Sequence, residues 1–122
     1  MAEGDKEVEV ARRVFHDIFK TILGEAGVKV LEYNFRRISS SDPYELLLKD
    51  ARSFYEILHN FFRSGTDAFL RITASTLLSK YAITAYNVKD VVAMLSGRCE
   101  GAEEKLRELL RKLIKAEAGG GE

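Results

Sequence analysis

Apolar positions along this chain recur at helical spacing almost throughout. Between Asp50 and Ile83 the two strongest runs meet at Arg63-Ser64-Gly65. Before the break, Phe54, Ile57, Leu58, Phe61 and Phe62 follow one another at steps of three and one, the one-face spacing of a 3.6-residue helix. After it come Phe69, Ile72, Thr76 and Leu77, flanked by Ala68, Leu70, Ala74, Leu78 and Tyr81. The second run is apolar over more than one stripe, as in a helix packed on two sides. This pair predicts a helical hairpin at the centre of the core, with Phe54, Leu58, Ile72 and Leu77 buried.

The remaining pattern fills in around the hairpin. Val8, Ala11, Phe15, Ile18, Phe19 and Ile22 predict a first helix over 5–23, with Gly24 at its stop, where a left-handed residue is favoured. Over residues 27–38, Val28, Val30, Leu31, Phe35 and Ile38 mix helical spacing with β-branched content. With no second strand to pair with, helix is the better reading. Ser39-Ser40-Ser41 is a loop. Asp42-Pro43-Tyr44-Glu45 starts a short helix over 43–48, with Asp as N-cap and Pro at N1. That helix either continues into the hairpin or breaks at Lys49-Asp50. Ser64 is placed to cap the second hairpin helix, with Asp67 near its positive end. Asn87 caps a further helix carrying Val88, Val91, Val92 and Leu95 and ended by Gly97. A last helix over 100–118 carries Leu106, Leu109, Leu110 and Leu113. The fold class is all-α, a compact bundle of five or six helices. Its parts are a loose N-terminus at 1–4, a core domain over 5–97, an amphipathic helix over 98–118 and a flexible tail at 119–122. The last helix has a stripe narrow enough for a coiled-coil seam and equally suited to docking on the domain's own core, so Leu106, Leu109, Leu110 and Leu113 are a candidate oligomer interface with intrachain docking as the alternative.

Composition narrows the function classes. The 122 residues carry 19 basic and 19 acidic side chains. The balance is also local: seven of each over 1–41, six of each over 42–97 and six of each over 98–122. Without a basic block, binding to nucleic acid and to anionic membranes loses its main driving force. No apolar run approaches the ~18 residues of a membrane span. A single cysteine, Cys99, forms no intrachain disulfide and fits a reducing compartment, and the N-terminus has no apolar leader region. These features predict a cytoplasmic protein whose partner is another protein or a second copy of itself, with neither nucleic acid nor membrane.

Candidate chemistry is sparse. Glu56 and His59 have the Glu-x-x-His spacing of helical di-iron sites, but such sites need two of these motifs and further carboxylates. His16 and Asp17 are neighbours on a helix and do not face each other. Cys99 follows Arg98, which could lower a thiol pKa, but nothing else supports a nucleophile there. No phosphate-loop, dinucleotide, hydrolase-elbow or metalloprotease motif occurs. No catalytic, metal or cofactor site is predicted, and the chain reads as a non-enzyme. Arg12-Arg13 and Arg36-Arg37 would form a small phosphate-binding patch if the fold apposed them. Five of the twelve aromatic residues fall between Phe54 and Phe69. Core is the plain reading of these rings. The sharper one makes Phe54, Phe61, Phe62 and Phe69 an apolar ligand or partner surface. Phe61 and Phe62, adjacent on a helix, must diverge by about 100°.

The stretch from Ile22 to Ile83 resembles a small archaeal family of helical proteins, the Nitrosopumilus output domain type. The resemblance rests on Leu23-Gly24, an apolar helix ending near Ile38, a loop containing Pro43, and then Phe54, Leu58, Phe62, Gly65, Ala68, Ile72 and Leu78. It departs where the family has Gly directly after the hairpin Phe and this chain has Arg63-Ser64. It implies an all-helical output or interaction module and supplies no catalytic residue. The resulting expectation is a non-enzymatic signalling-output or protein-interaction module. The alternative is a sensor holding a small apolar ligand in a bundle cavity.

Overall fold

A computed structural model describes the backbone of residues 2–120 and the side chains of residues 6–115. Among the described residues there are six α-helices and one 3₁₀ turn: α1 (Ala2–Ser39), α2 (Pro43–Lys49), α3 (Ala51–Phe62), the turn Arg63–Gly65, α4 (Thr66–Lys80), α5 (Val88–Leu95) and α6 (Ala102–Gly120). The fold is all-α, and no described helix is long and apolar enough to cross a membrane. The backbone of residues 2–4 and 119–120 is helical, where loose ends are predicted. Residues 1, 121 and 122 of those predicted ends lie outside the described residues.

Helix α1 is two arms joined at Gly24, whose φ of 83° and ψ of 166° interrupt the helix. Residues sixteen apart on a straight helix are separated by about 24 Å. Here Nδ1 of His16 and Oε2 of Glu32 stand 2.8 Å apart. The arms therefore fold back on each other, and a side chain at Gly24 would have to adopt the left-handed region that only glycine enters freely. The first arm buries Ala11, Val14, Phe15, Ile18 and Phe19; the second buries Val28, Leu31 and Phe35. The steps of three and four between these last three make 27–38 a helix, with its β-branched residues split between core and surface. Val30 stands half-exposed, as do Tyr33 and Ile38 at other positions round the arm.

Capping sets the next two helices. Asp42 accepts from the Glu45 backbone N–H at 2.8 Å to start α2. Asp50 ends α2 and also accepts from Ser53 N–H to start α3, so the chain breaks at Lys49-Asp50. The hairpin bend differs from expectation. Ser64 makes no cap. Arg63 takes a positive φ of 56°, the turn tightens to 3₁₀, and the Thr66 hydroxyl donates to the Arg63 carbonyl at 2.7 Å. The buried face of α4 is also rotated. Leu70, Thr73, Ala74 and Leu77 are in the core, while Ile72 is 50% exposed. A helix apolar on several sides leaves its inward face undetermined by periodicity. Here Thr73 takes the central position, its hydroxyl donating to the Phe69 carbonyl four residues back.

Asn87 and Asp90 form a reciprocal capping box at the start of α5. Helix α6 packs against α1, α2 and α5. Leu106, Leu109 and Leu110 are fully buried and Leu113 nearly so. The predicted oligomer seam is thus spent within the chain, and residues 98–118 do not form a unit apart from the core. Polar ties reinforce the docking. Glu7 is buried and accepts from Arg107 at 2.8 Å and Arg111 at 2.7 Å, while Glu103 accepts from the Ala51 backbone N–H at 2.7 Å.

Candidate functional site

Folding α1 back at Gly24 places polar residues from both arms on one wall. His16 and Glu32 each lie eight residues from Gly24, so the hairpin sets them opposite one another. The Asp42 cap fixes the register of α2 and brings Tyr44 to the same place. Its buried ring stacks on Phe19, with centroids 5.9 Å apart, and its hydroxyl donates to Oε2 of Glu32 at 2.6 Å. The C-terminal end of α4 closes the far side with Lys80 and Tyr81. These elements surround a cleft of about 710 Å³, also lined by Arg12, Arg13 and Arg36.

Glu32 is the hub of the cleft. A carboxylate accepting from Tyr44 also accepts from His16, which puts a proton on Nδ1 of that imidazole. The Tyr44 phenol is held protonated well above its usual range, first by burial and then by its hydrogen bond to Glu32. It therefore donates at any physiological pH. Oε1 of Glu32 has no hydrogen-bond partner among the described residues, and the side chain is 16% exposed.

The cations around this hub are held to different degrees. Arg12 commits one terminal nitrogen to Asp42 at 2.6 Å. Burial pushes the Asp42 carboxyl up, but hydrogen bonds from Arg12 and from the Glu45 backbone reverse that and hold it below the usual range. Lys80 pairs with Asp17, and that hydrogen bond lowers the Asp17 carboxyl and raises the Lys80 ammonium. The side chain of Arg36 has no hydrogen bond or ion pair among the described residues and is exposed. The cleft wall thus carries Arg12, Arg13, Arg36 and Lys80 together with Asp17 and Glu32, and Asp42 stands beside Arg12.

Three of the four arginines flagged in the sequence come together here. Arg37 does not line the cleft, being one residue and about 100° further round the second arm. Sequence reasoning missed Glu32, Tyr44 and Lys80. The usable signal was symmetry: polar residues equidistant from a glycine that ends one helix and begins the next face each other once the chain reverses.

The aromatic cluster is packed differently from an apolar ligand surface. Phe54 is fully buried against Phe35, and Phe69 is buried between Phe19 and Phe62, 5.1 and 4.5 Å away. Phe62 is half-buried and stacked on Phe69, while Phe61 is 40% exposed. Phe61 lines a small recess of about 90 Å³ with Ile38 and Ile57. Phe54 and Phe69 are therefore core residues. His59 stacks on Tyr55, 5.9 Å away. Arg98 turns to Tyr55 and Asp67, at 2.8 and 3.1 Å. Cys99 sits half-buried beside Tyr86, Asp90 and Met94. No group of three or more metal-ligating side chains converges among the described residues.

Compared with family models, with curated proteins and with solved structures, the chain matches none.

Proposed function

We propose that this chain is a non-enzymatic binding module that takes a small anionic molecule in the cleft between the two arms of α1, α2 and the end of α4. The observation that carries this reading is convergence. Arg12, Arg36 and Lys80 come from three separate segments of a chain with no net charge, yet they share one concave wall. A cleft of about 710 Å³ is in the range of small-molecule sites. An arginine without a partner supplies a planar fork suited to phosphate or carboxylate oxygens. Arg36 gains most from a ligand, because its side chain has no partner among the described residues. The polar cleft thereby replaces the aromatic cluster as the sensor site, and a signalling-output role would follow from ligand binding across the α1 hinge. The reading includes a cytoplasmic location and a small-molecule partner, with no nucleic acid.

Isothermal titration with inorganic phosphate at low ionic strength tests it. Binding should be saturable, should weaken with salt and should fall about tenfold or more in Arg36→Gln. Equal weak binding by both proteins would mean that the cleft is not a site.

A second reading concerns a partner surface. Ile38 and Phe61, 53% and 40% exposed, line one shallow recess between α1 and α3. If the chain self-associates, this face serves and α6 does not. Light scattering on the parent chain and on Ile38→Glu checks it: a dimer unaffected by the substitution would remove this face from consideration.

A further inference from the structure

We propose that the ligand of the α1–α2–α4 cleft is a phosphorylated polyol, a phosphate monoester carrying free hydroxyls close to the phosphate. This rests on the anion-binding reading above and adds the chemistry of the rest of the ligand. A site for a bare anion has no use for a carboxylate, since a negative group beside the ligand repels it. Yet Glu32 stands among the cations of the cleft, and two neighbours hold it there. Tyr44 donates to Oε2 at 2.6 Å and His16 stands 2.8 Å from the same oxygen. Both bonds fall on Oε2. Oε1 has no partner among the described residues and the side chain reaches solvent, so an oriented, charged acceptor remains available on the cleft wall.

An acceptor of this kind selects donors. Hydroxyl-to-carboxylate hydrogen bonds are short and charge-assisted, about twice as strong as neutral ones. The cations beside it select the phosphate: the side chain of Arg36, one turn along the same arm, has no partner among the described residues, and Arg12 commits only one nitrogen of its guanidinium to Asp42. A molecule bearing a phosphate at one end and hydroxyls next to it satisfies both poles at once. A simple anion satisfies one pole and is repelled by the other. A neutral sugar satisfies only the carboxylate. The volume of about 710 Å³ admits a phosphorylated monosaccharide.

The experiment is a calorimetric panel on the full chain: inorganic phosphate, methyl phosphate, glycerol 3-phosphate, glucose 6-phosphate and glucose. The two hydroxylated phosphates should bind about tenfold or more tighter than methyl phosphate, and glucose should not bind measurably. In Glu32→Gln that preference should collapse, while inorganic phosphate binds as well as before or tighter. Retained phosphate binding also shows that the variant is folded. Should Glu32→Gln fail to fold, the wild-type comparison of methyl phosphate with glycerol 3-phosphate still decides. Equal affinities for those two would overturn the polyol inference and leave the anion-binding reading standing. Failure of every phosphate compound to bind would overturn both.

Discussion

Gly97→Ala should be among the most damaging single-methyl additions in this protein. Gly97 lies between α5 and α6 with φ of 69°, and its Cα faces the first turn of α3. A Cβ there would sit 2.6 Å from the Arg52 backbone nitrogen and 2.9 Å from its Cα. Those atoms cannot swing aside as a side-chain tip would. The turn is capped by Asp50, and the adjacent Ala51 N–H is tied to Glu103 of α6 at 2.7 Å. A non-glycine residue in the left-handed region costs about 1–2 kcal/mol, and forcing a methyl into a filled space costs about 1–3 kcal/mol more. The total is about 2–5 kcal/mol. For a domain of this length the unfolding entropy makes each kcal/mol worth about 4 °C, so the midpoint should fall by roughly 8–20 °C. Gly101→Ala is the matched control, with φ of 67° but no atom within 4 Å of the added methyl. It carries the conformational cost alone and should lose only ~4–8 °C. Thermal unfolding by circular dichroism measures both. A Gly97→Ala loss no larger than that of Gly101→Ala would refute the close approach of the α5–α6 connection to α3.

Other substitutions test the packing and its polar ties. Phe54→Ala, at a fully buried ring, should cost ~3–5 kcal/mol in denaturant titration, whereas Ile72→Ala should stay within about 1 kcal/mol. Leu109→Ala should cost ~2–5 kcal/mol without changing the molecular mass in light scattering, because the leucine packs within its own chain. Burial pushes the Glu7 carboxyl up, but hydrogen bonds from Arg107 and Arg111 more than reverse this and hold it below its ordinary 4.5. A lowered folded-state pKa stabilises above the unfolded value and loses that stabilisation as pH falls through the folded one. The stability advantage of the parent over Glu7→Gln should therefore be full at pH 7 and shrink below pH 4.5. An advantage unchanged at pH 3 would contradict the ion-pair account.

Local signals in the sequence carried most of the fold. Asp42, Asp50 and Asn87 cap helices because a short acceptor side chain before an apolar run has one low-energy use. Gly24 and Gly97 end helices where a left-handed residue is needed. The inward face of α4 was not legible, since Leu70, Ile72 and Leu77 are equally apolar and only tertiary packing chooses Thr73 over Ile72. The fate of α6 was not legible either. A narrow leucine stripe suits a partner or its own core, and the Glu7 contacts that decide the matter come from a hundred residues away. Of the cleft, the sequence flagged Arg12, Arg13 and Arg36 with the condition that they be apposed. Equal spacing from Gly24 relates His16 to Glu32, but the arrival of Tyr44 and Lys80 depends on how α2 and α4 pack against the two arms, which no spacing rule encodes.

The most direct test of the anion-binding cleft is a ¹H–¹⁵N correlation titration of the full chain with inorganic phosphate at constant ionic strength. Saturable shifts should gather at Arg12, His16, Glu32, Arg36, Lys80 and Tyr81, spread over segments remote in sequence. The exposed basic residues Arg52, Arg71 and Lys89 should stay still. Shifts scattered over all exposed lysines and arginines, without saturation, would contradict the account.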